Sequence, residues 1–69
     1  MIKLVLFYEN GKMFFTEKLN FEKQIINALA KTELTGFRDL LDAKFYLEKN
    51  FPYDVEIPRE EILKEKEKK

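Results

Sequence analysis

A chain of 69 residues builds one domain at most, and one that buries only about 60% of the surface its unfolded form exposes. Its 45% apolar content, with seven Phe, is that of a folded chain, and its thirteen basic and thirteen acidic residues cancel, so no global field draws it to nucleic acid or to an anionic membrane. It has neither Cys nor His, which excludes disulfides, zinc fingers, thiol nucleophiles and imidazole catalysis.

A domain this small without staples points to a cytoplasmic home. The opening MIKLVLFYEN has an apolar run, but it lacks the small-residue cleavage site of a signal peptide and the length of a membrane span.

In VLFYENGKMFF, Asn10-Gly11 sits between two apolar arms, the pattern of a type I′ hairpin, whose turn needs positive φ at both central residues. A two-residue loop fixes the register, from Glu9 facing Lys12 through Phe7 facing Phe14 to Leu4 facing Glu17. Alternation sorts the arms into two faces. Ile2, Leu4, Leu6, Tyr8, Met13, Phe15 and Leu19 form the candidate core face. Val5, Phe7 and Phe14 lie opposite, flanked by Lys3, Thr16 and Lys18. Glu17 falls on the core side, which predicts a bulge or fraying there.

Asn20 is a good N-cap for a helix beginning at Phe21, whose apolar stripe is Phe21, Ile25, Ala28 and Leu29, widened by Ile26 and Ala30. TELTG breaks the pattern. Thr35 can cap a second helix from Gly36 to about Asn50, with Phe37, Leu40, Leu41 and Phe45 as its buried stripe, Leu47 and Phe51 at its edge, and Pro52 as its stop. YDVEI, residues 53–57, alternates between two prolines and reads as a short edge strand. Pro58 opens a last helix, with Glu60 and Glu61 in its favourable first turn. Beyond Leu63 the chain holds only charged residues, which predicts a disordered tail.

The fold expected is therefore α+β, a small two-layer sandwich in the order β-β-α-α-β-α. An N-terminal hairpin and a short third strand are covered on one face by two helices. Residues 1–63 form the domain and 64–69 the charged tail. The two helices are needed on the Leu4/Leu6 face. Only Ile62 and Leu63 remain to cover Val5, Phe7 and Phe14, so that face is expected to be open.

An open apolar patch on a hairpin marks a contact surface, with self-association as its simplest form. Lys3, Lys12 and Lys18 beside Phe7 and Phe14 also allow a second reading, single-stranded nucleic acid on a basic-aromatic sheet face, against which Glu9 and Glu17 weigh. The local carboxylate pairs, Asp39/Asp42, Asp54/Glu56 and Glu60/Glu61, read as capping charges or solvated faces. Gly11 and Gly36 are turn residues, so no phosphate-cradling loop exists and no cofactor or metal is expected.

The stretch TGFRDLLDAKFYLEKNFPYDVEIPREE, residues 35–61, resembles the C-terminal domain of ribosomal protein L7/L12 at Thr35-Gly36, Ala43-Lys44, Glu48, Pro52, Val55 and Glu60-Glu61. The resemblance covers about 40% of the chain and implies helices over a small sheet. It also implies a contact with a translation factor through the family's first helix, while Lys44 matches the lysine of the family's next helix. The Ile-Lys-x-x-Arg pattern of that first helix is replaced here by Ile26-Asn27-Ala28-Leu29-Ala30.

The reading that results is a small non-enzymatic protein-binding module, an adaptor or an inhibitor of the kind phages and mobile elements encode, the latter working in the host cytoplasm. Its expected contact residues are Val5, Phe7, Phe14, Lys3, Lys18 and Lys44, and its partner is another protein or a second copy of itself as a homodimer. Nucleic acid stands second, and no membrane is expected.

Overall fold

The structure is a computed structural model that describes residues 2–25, 27 and 29–67, the last without its side chain. Its elements are β1 (Ile2–Glu9), β2 (Lys12–Glu17), α1 (Lys18–Glu22), β3 (Thr32–Leu34), α2 (Leu40–Asn50), β4 (Tyr53–Glu56) and α3 (Arg59–Glu67). The strands form a single mixed sheet in the order β3-β2-β1-β4, with β4 parallel to β1 and the other pairs antiparallel. The architecture is the expected α+β one, with a strand more than the sequence announced.

The hairpin follows its turn chemistry. Asn10 and Gly11 take φ of 54° and 77°, and the register runs unbroken from Glu9↔Lys12 to Leu4↔Glu17. Glu17 therefore forms no bulge. It stays paired and exposed.

The first helix is shorter and earlier than expected. α1 starts at Lys18, directly out of β2, so Asn20 lies inside it rather than capping it. It stops because Gln24 adopts φ of 60°. The Ile25 N–H then donates to the Asn20 carbonyl (2.8 Å) and the Gln24 N–H to the Phe21 carbonyl (3.1 Å), the paired bonds of a Schellman end. The rest of the expected stripe is not helical: Ile25 is exposed and Leu29 is 99% exposed, while Ile26 and Ala28 lie outside the described residues. The chain returns instead as β3, antiparallel to β2 through Met13↔Leu34, Phe14↔Glu33 and Phe15↔Thr32.

α2 is capped by Asp39, whose Oδ1 accepts from the Asp42 N–H at 2.9 Å. Thr35 comes too early for that role, because Gly36 sits at φ of 85° and the helix begins only at Leu40. The helix ends before Pro52, as expected. Its buried stripe is Leu40, Ala43 and Leu47, spaced i, i+3, i+7. Leu41 and Phe45, expected inside, are half or more exposed, and Leu47, expected at the edge, is buried.

β4 pairs Ile2–Val5 with Tyr53–Glu56 and stops there. Continuing its register would set the Pro58 nitrogen, which has no hydrogen, against the Leu6 carbonyl. Pro58 opens α3 instead, its carbonyl accepting from Glu61 N–H (3.0 Å) and Ile62 N–H (3.3 Å). The tail boundary at residue 64 is corrected. Lys64 to Glu67 are helical, and Lys64 and Glu65 are bonded to the sheet and to α2, so charge alone did not keep them from docking. Lys68 and Lys69 lie outside the described residues.

Alternation gives the sheet two covered faces. On one, Leu4, Leu6, Met13 and Val55 pack against Leu40, Ala43 and Leu47 of α2, with Tyr8, Phe15, Leu34, Tyr53 and Ile57 around them. On the other lie Val5, Phe7, Phe14 and Thr16.

Candidate protein-binding surface

The hairpin face expected to be open is closed. Val5 is 1% and Phe7 is 4% exposed, and Phe14 is half-buried. Phe21 of α1, Ala30 and Lys31 contribute to the cover. α1 carries Phe21 onto Phe7, with ring centroids 5.5 Å apart, and Phe7 stacks on Phe14 at 5.8 Å. The Lys31 ammonium sits over the Phe14 ring, 4.7 Å from its centre, while bound to Glu9. Buried Thr16 donates its hydroxyl to the Ala30 carbonyl at 2.6 Å, which pins the returning chain to the sheet.

The other residues expected at the contact surface scatter. Lys3 is exposed on the same sheet face. Lys18 is bound to Glu56 at 2.9 Å, and the hydrogen bond and charge of that carboxylate hold its ammonium above the usual lysine range. Lys44 lies on α2, against the other face of the sheet, where it binds Glu48 at 2.8 Å. Glu48 also accepts the Val55 N–H, on the outer edge of β4, at 3.2 Å. Its carboxyl is held below the usual glutamate range, first by the Lys44 hydrogen bond and then by the Val55 N–H.

What the surface presents instead is aromatic: Tyr46 of α2 and Phe51 at its C-cap, with Phe37 from before the helix and Tyr53 from β4. Phe37, Tyr46, Phe51 and Tyr53 form a row of neighbouring rings, with successive centroids 5.2, 6.4 and 5.3 Å apart. Tyr46 is 47% and Phe51 43% exposed, and Phe37 and Tyr53 are half-buried. The local cause is the helix end. Phe51, in extended conformation at the C-cap, and Pro52 turn the chain back into β4, which brings Phe51 between Tyr46 of the helix and Tyr53 of the strand.

Tyr53 also lines a shallow groove of about 360 Å³, together with exposed Ile2 and with Leu4 and Phe15 of the hairpin. Thr32 and exposed Leu29 form its far wall.

Sequence reasoning missed this row because it assigned the large side chains around α2 to the core. A countable signal was there. α2 and its C-cap carry Leu40, Leu41, Phe45, Tyr46, Leu47 and Phe51, more apolar bulk than one helix face can bury against a four-stranded sheet.

Among the described residues, no three acidic side chains gather to hold a metal ion, and no helix is long and apolar enough to cross a membrane. The chain matches no protein-family model, and comparison with curated proteins and with solved structures returns no match.

Proposed function

We propose that this chain is a small non-enzymatic protein-binding module, an adaptor or inhibitor, that meets its partner through the Phe37–Tyr46–Phe51–Tyr53 row and the groove beside it. The observation that carries this reading is the row itself: rings placed side by side on the surface when both faces of the sheet already have their cover. Tyr and Phe are the residues that protein interfaces enrich, because each offers a large rigid contact area for few rotatable bonds.

Size narrows the partner. Four side chains, each less than half exposed, fall short of the roughly 800 Å² per partner of a standard stable complex. A contact of this kind is exchangeable, or it is extended by a partner that reaches into the groove. The nucleic-acid reading loses its platform, since Phe7 is buried and the Phe14 ring is occupied by Lys31. A translation-factor contact of the L7/L12 kind would lack the basic residues of the family's first helix, and the ammonium of Lys44 is held by Glu48.

The test compares the wild type with Tyr46→Ser/Phe51→Ser as bait in a lysate of the source organism, after circular dichroism shows that both are folded. The reading expects one stoichiometric protein with the wild type and its loss with the double variant. Co-purifying RNA or DNA, or equal capture by both baits, overturns it. Sedimentation of the two purified chains separates a second copy from another protein: a wild-type dimer that the variant abolishes identifies self-association.

A further inference from the structure

We infer that α3 is a strap that opens as a unit of its own, ahead of the sheet, and that when closed it guards the stretch of the β1 edge beyond the end of β4. β1 runs to Glu9, but β4 pairs only with Ile2–Val5. Past that point the Tyr8 N–H and carbonyl point away from β2, because Tyr8↔Met13 is a non-hydrogen-bonded pair of a two-residue hairpin. No described strand takes them up. Side chains of α3 do: Glu61 Oε1 accepts the Tyr8 N–H at 2.6 Å, and Lys64 Nζ donates to the Tyr8 carbonyl at 3.4 Å. A carboxylate and an ammonium thus stand where the backbone of a continued β4 would have stood.

One turn on, Glu65 ties the strap at two further points. Its Oε2 accepts the Tyr8 hydroxyl at 2.9 Å and the Leu40 N–H at 2.8 Å, joining β1 to the start of α2. These ties are polar. Of the described side chains of α3, Glu61 is the buried one, and Ile62 and Leu63 are about half exposed. A helix that buries so little apolar surface has far less holding it than α2 has, and segments of that kind open locally at low free energy. Closed, the strap keeps the edge from pairing with extended segments of other chains. Open, it releases the Tyr8 N–H and carbonyl from Glu61 and Lys64.

Native-state hydrogen exchange on the full chain tests this, read at four amides. Tyr8 and Leu40 lie under the strap, while Phe7 and Phe14 are bonded within the hairpin. The Tyr8 and Leu40 amides should exchange at similar protection, about tenfold or more less protected than Phe7 and Phe14, and with a shallower dependence on denaturant. Glu65→Ala should deprotect the Tyr8 amide together with that of Leu40, although the Tyr8 amide is bonded to Glu61, and should leave Phe7 and Phe14 unchanged. Equal protection of all four amides across the denaturant series overturns the inference, since α3 then opens only with the whole molecule. A uniform loss of protection at all four in Glu65→Ala overturns it as well. If that variant does not fold, the wild-type denaturant series decides alone.

Discussion

The two faces of the hairpin are made from the same two strands and are both closed, yet by different kinds of cover. Over Leu4, Leu6 and Met13 lies an eleven-residue helix that presents Leu40, Ala43 and Leu47 in regular spacing. Over Val5, Phe7 and Phe14 lies a five-residue helix that delivers one ring, Phe21, followed by a returning segment that adds the Ala30 carbonyl and the Lys31 ammonium. The first cover is apolar and periodic. The second is assembled from single contacts of different types. Covers of the second kind let a small domain close both faces of a sheet without a second long helix, and they leave α2 with apolar bulk to spare for its outer surface.

The largest effect expected is on the helical cover. Leu40→Ala removes a side chain that is 1% exposed and leaves a cavity between sheet and helix, which should cost about 2–5 kcal/mol. Urea denaturation checks it. Phe21→Ala takes away a half-buried ring on the opposite face and should cost about 1–3 kcal/mol. Its second signature is local: the hairpin amides stay protected while the Phe14 aromatic resonances shift. A loss at Phe21 equal to that at Leu40 would erase the distinction between the two covers and make the second face a core of equal rank.

That distinction also marks how far the sequence could be read. The Asn10-Gly11 turn fixed φ, register and side-chain parity at once, so every hairpin pair was legible. The prolines bounded β4, and α2 was visible from its apolar content. The cover of the second face was not, for a physical reason at each residue. Residues 21–30 show helical spacing, but Gln24 takes a left-handed conformation that nothing in its side chain announces, and the helix ends there. Lys31 reads as a solvated cation until its ammonium is seen over the Phe14 ring. β3 is three residues long, too short for alternation to show. The aromatic row was hidden by the opposite error, since spacing alone made Phe45 and Leu41 core residues when Ala43 and Leu47 supplied the inward face. Glu61 and Glu65 were taken for solvent because their partners, Tyr8 and Leu40, are distant in sequence.

A smaller effect reads the rim of the α2 face through pH. The Tyr8 phenol is pushed up to about 12, first by burial, then by its hydrogen bond to Glu65 and by that carboxylate's charge. The folded chain holds this proton more tightly than the unfolded one, whose phenol titrates near 10. The stability it confers is therefore full below pH 10 and is lost as pH rises from 10 towards 12. Tyr8→Phe keeps the ring and removes the titrating group. The difference in melting temperature between wild type and Tyr8→Phe should thus narrow across that interval. A constant difference would mean that neither burial nor Glu65 holds the phenol proton in the folded chain.

The smallest effect turns on two left-handed residues that flank the two covers. Gly36, before α2, has φ of 85°, and a Cβ added there would meet nothing within 4 Å. Gly36→Ala should therefore cost only the backbone penalty, about 1–2 kcal/mol, without any steric clash to increase it. Gln24, after α1, has φ of 60° and an exposed side chain, so it already bears a penalty of that kind. Gln24→Gly relieves it but enlarges the conformational freedom of the unfolded chain, which takes back about 0.4–1 kcal/mol. The net gain should be about 0.5–1 kcal/mol, in line with the preference for glycine at this position of a Schellman end. Because the end of α1 fixes where Phe21 sits, the gain should appear as firmer protection of the Gln24 and Ile25 amides, whose acceptors are the Phe21 and Asn20 carbonyls. A variant less stable than the wild type would show that Gln24 is held by something other than its backbone turn. The second face would then owe its closure to the returning chain rather than to the end of α1.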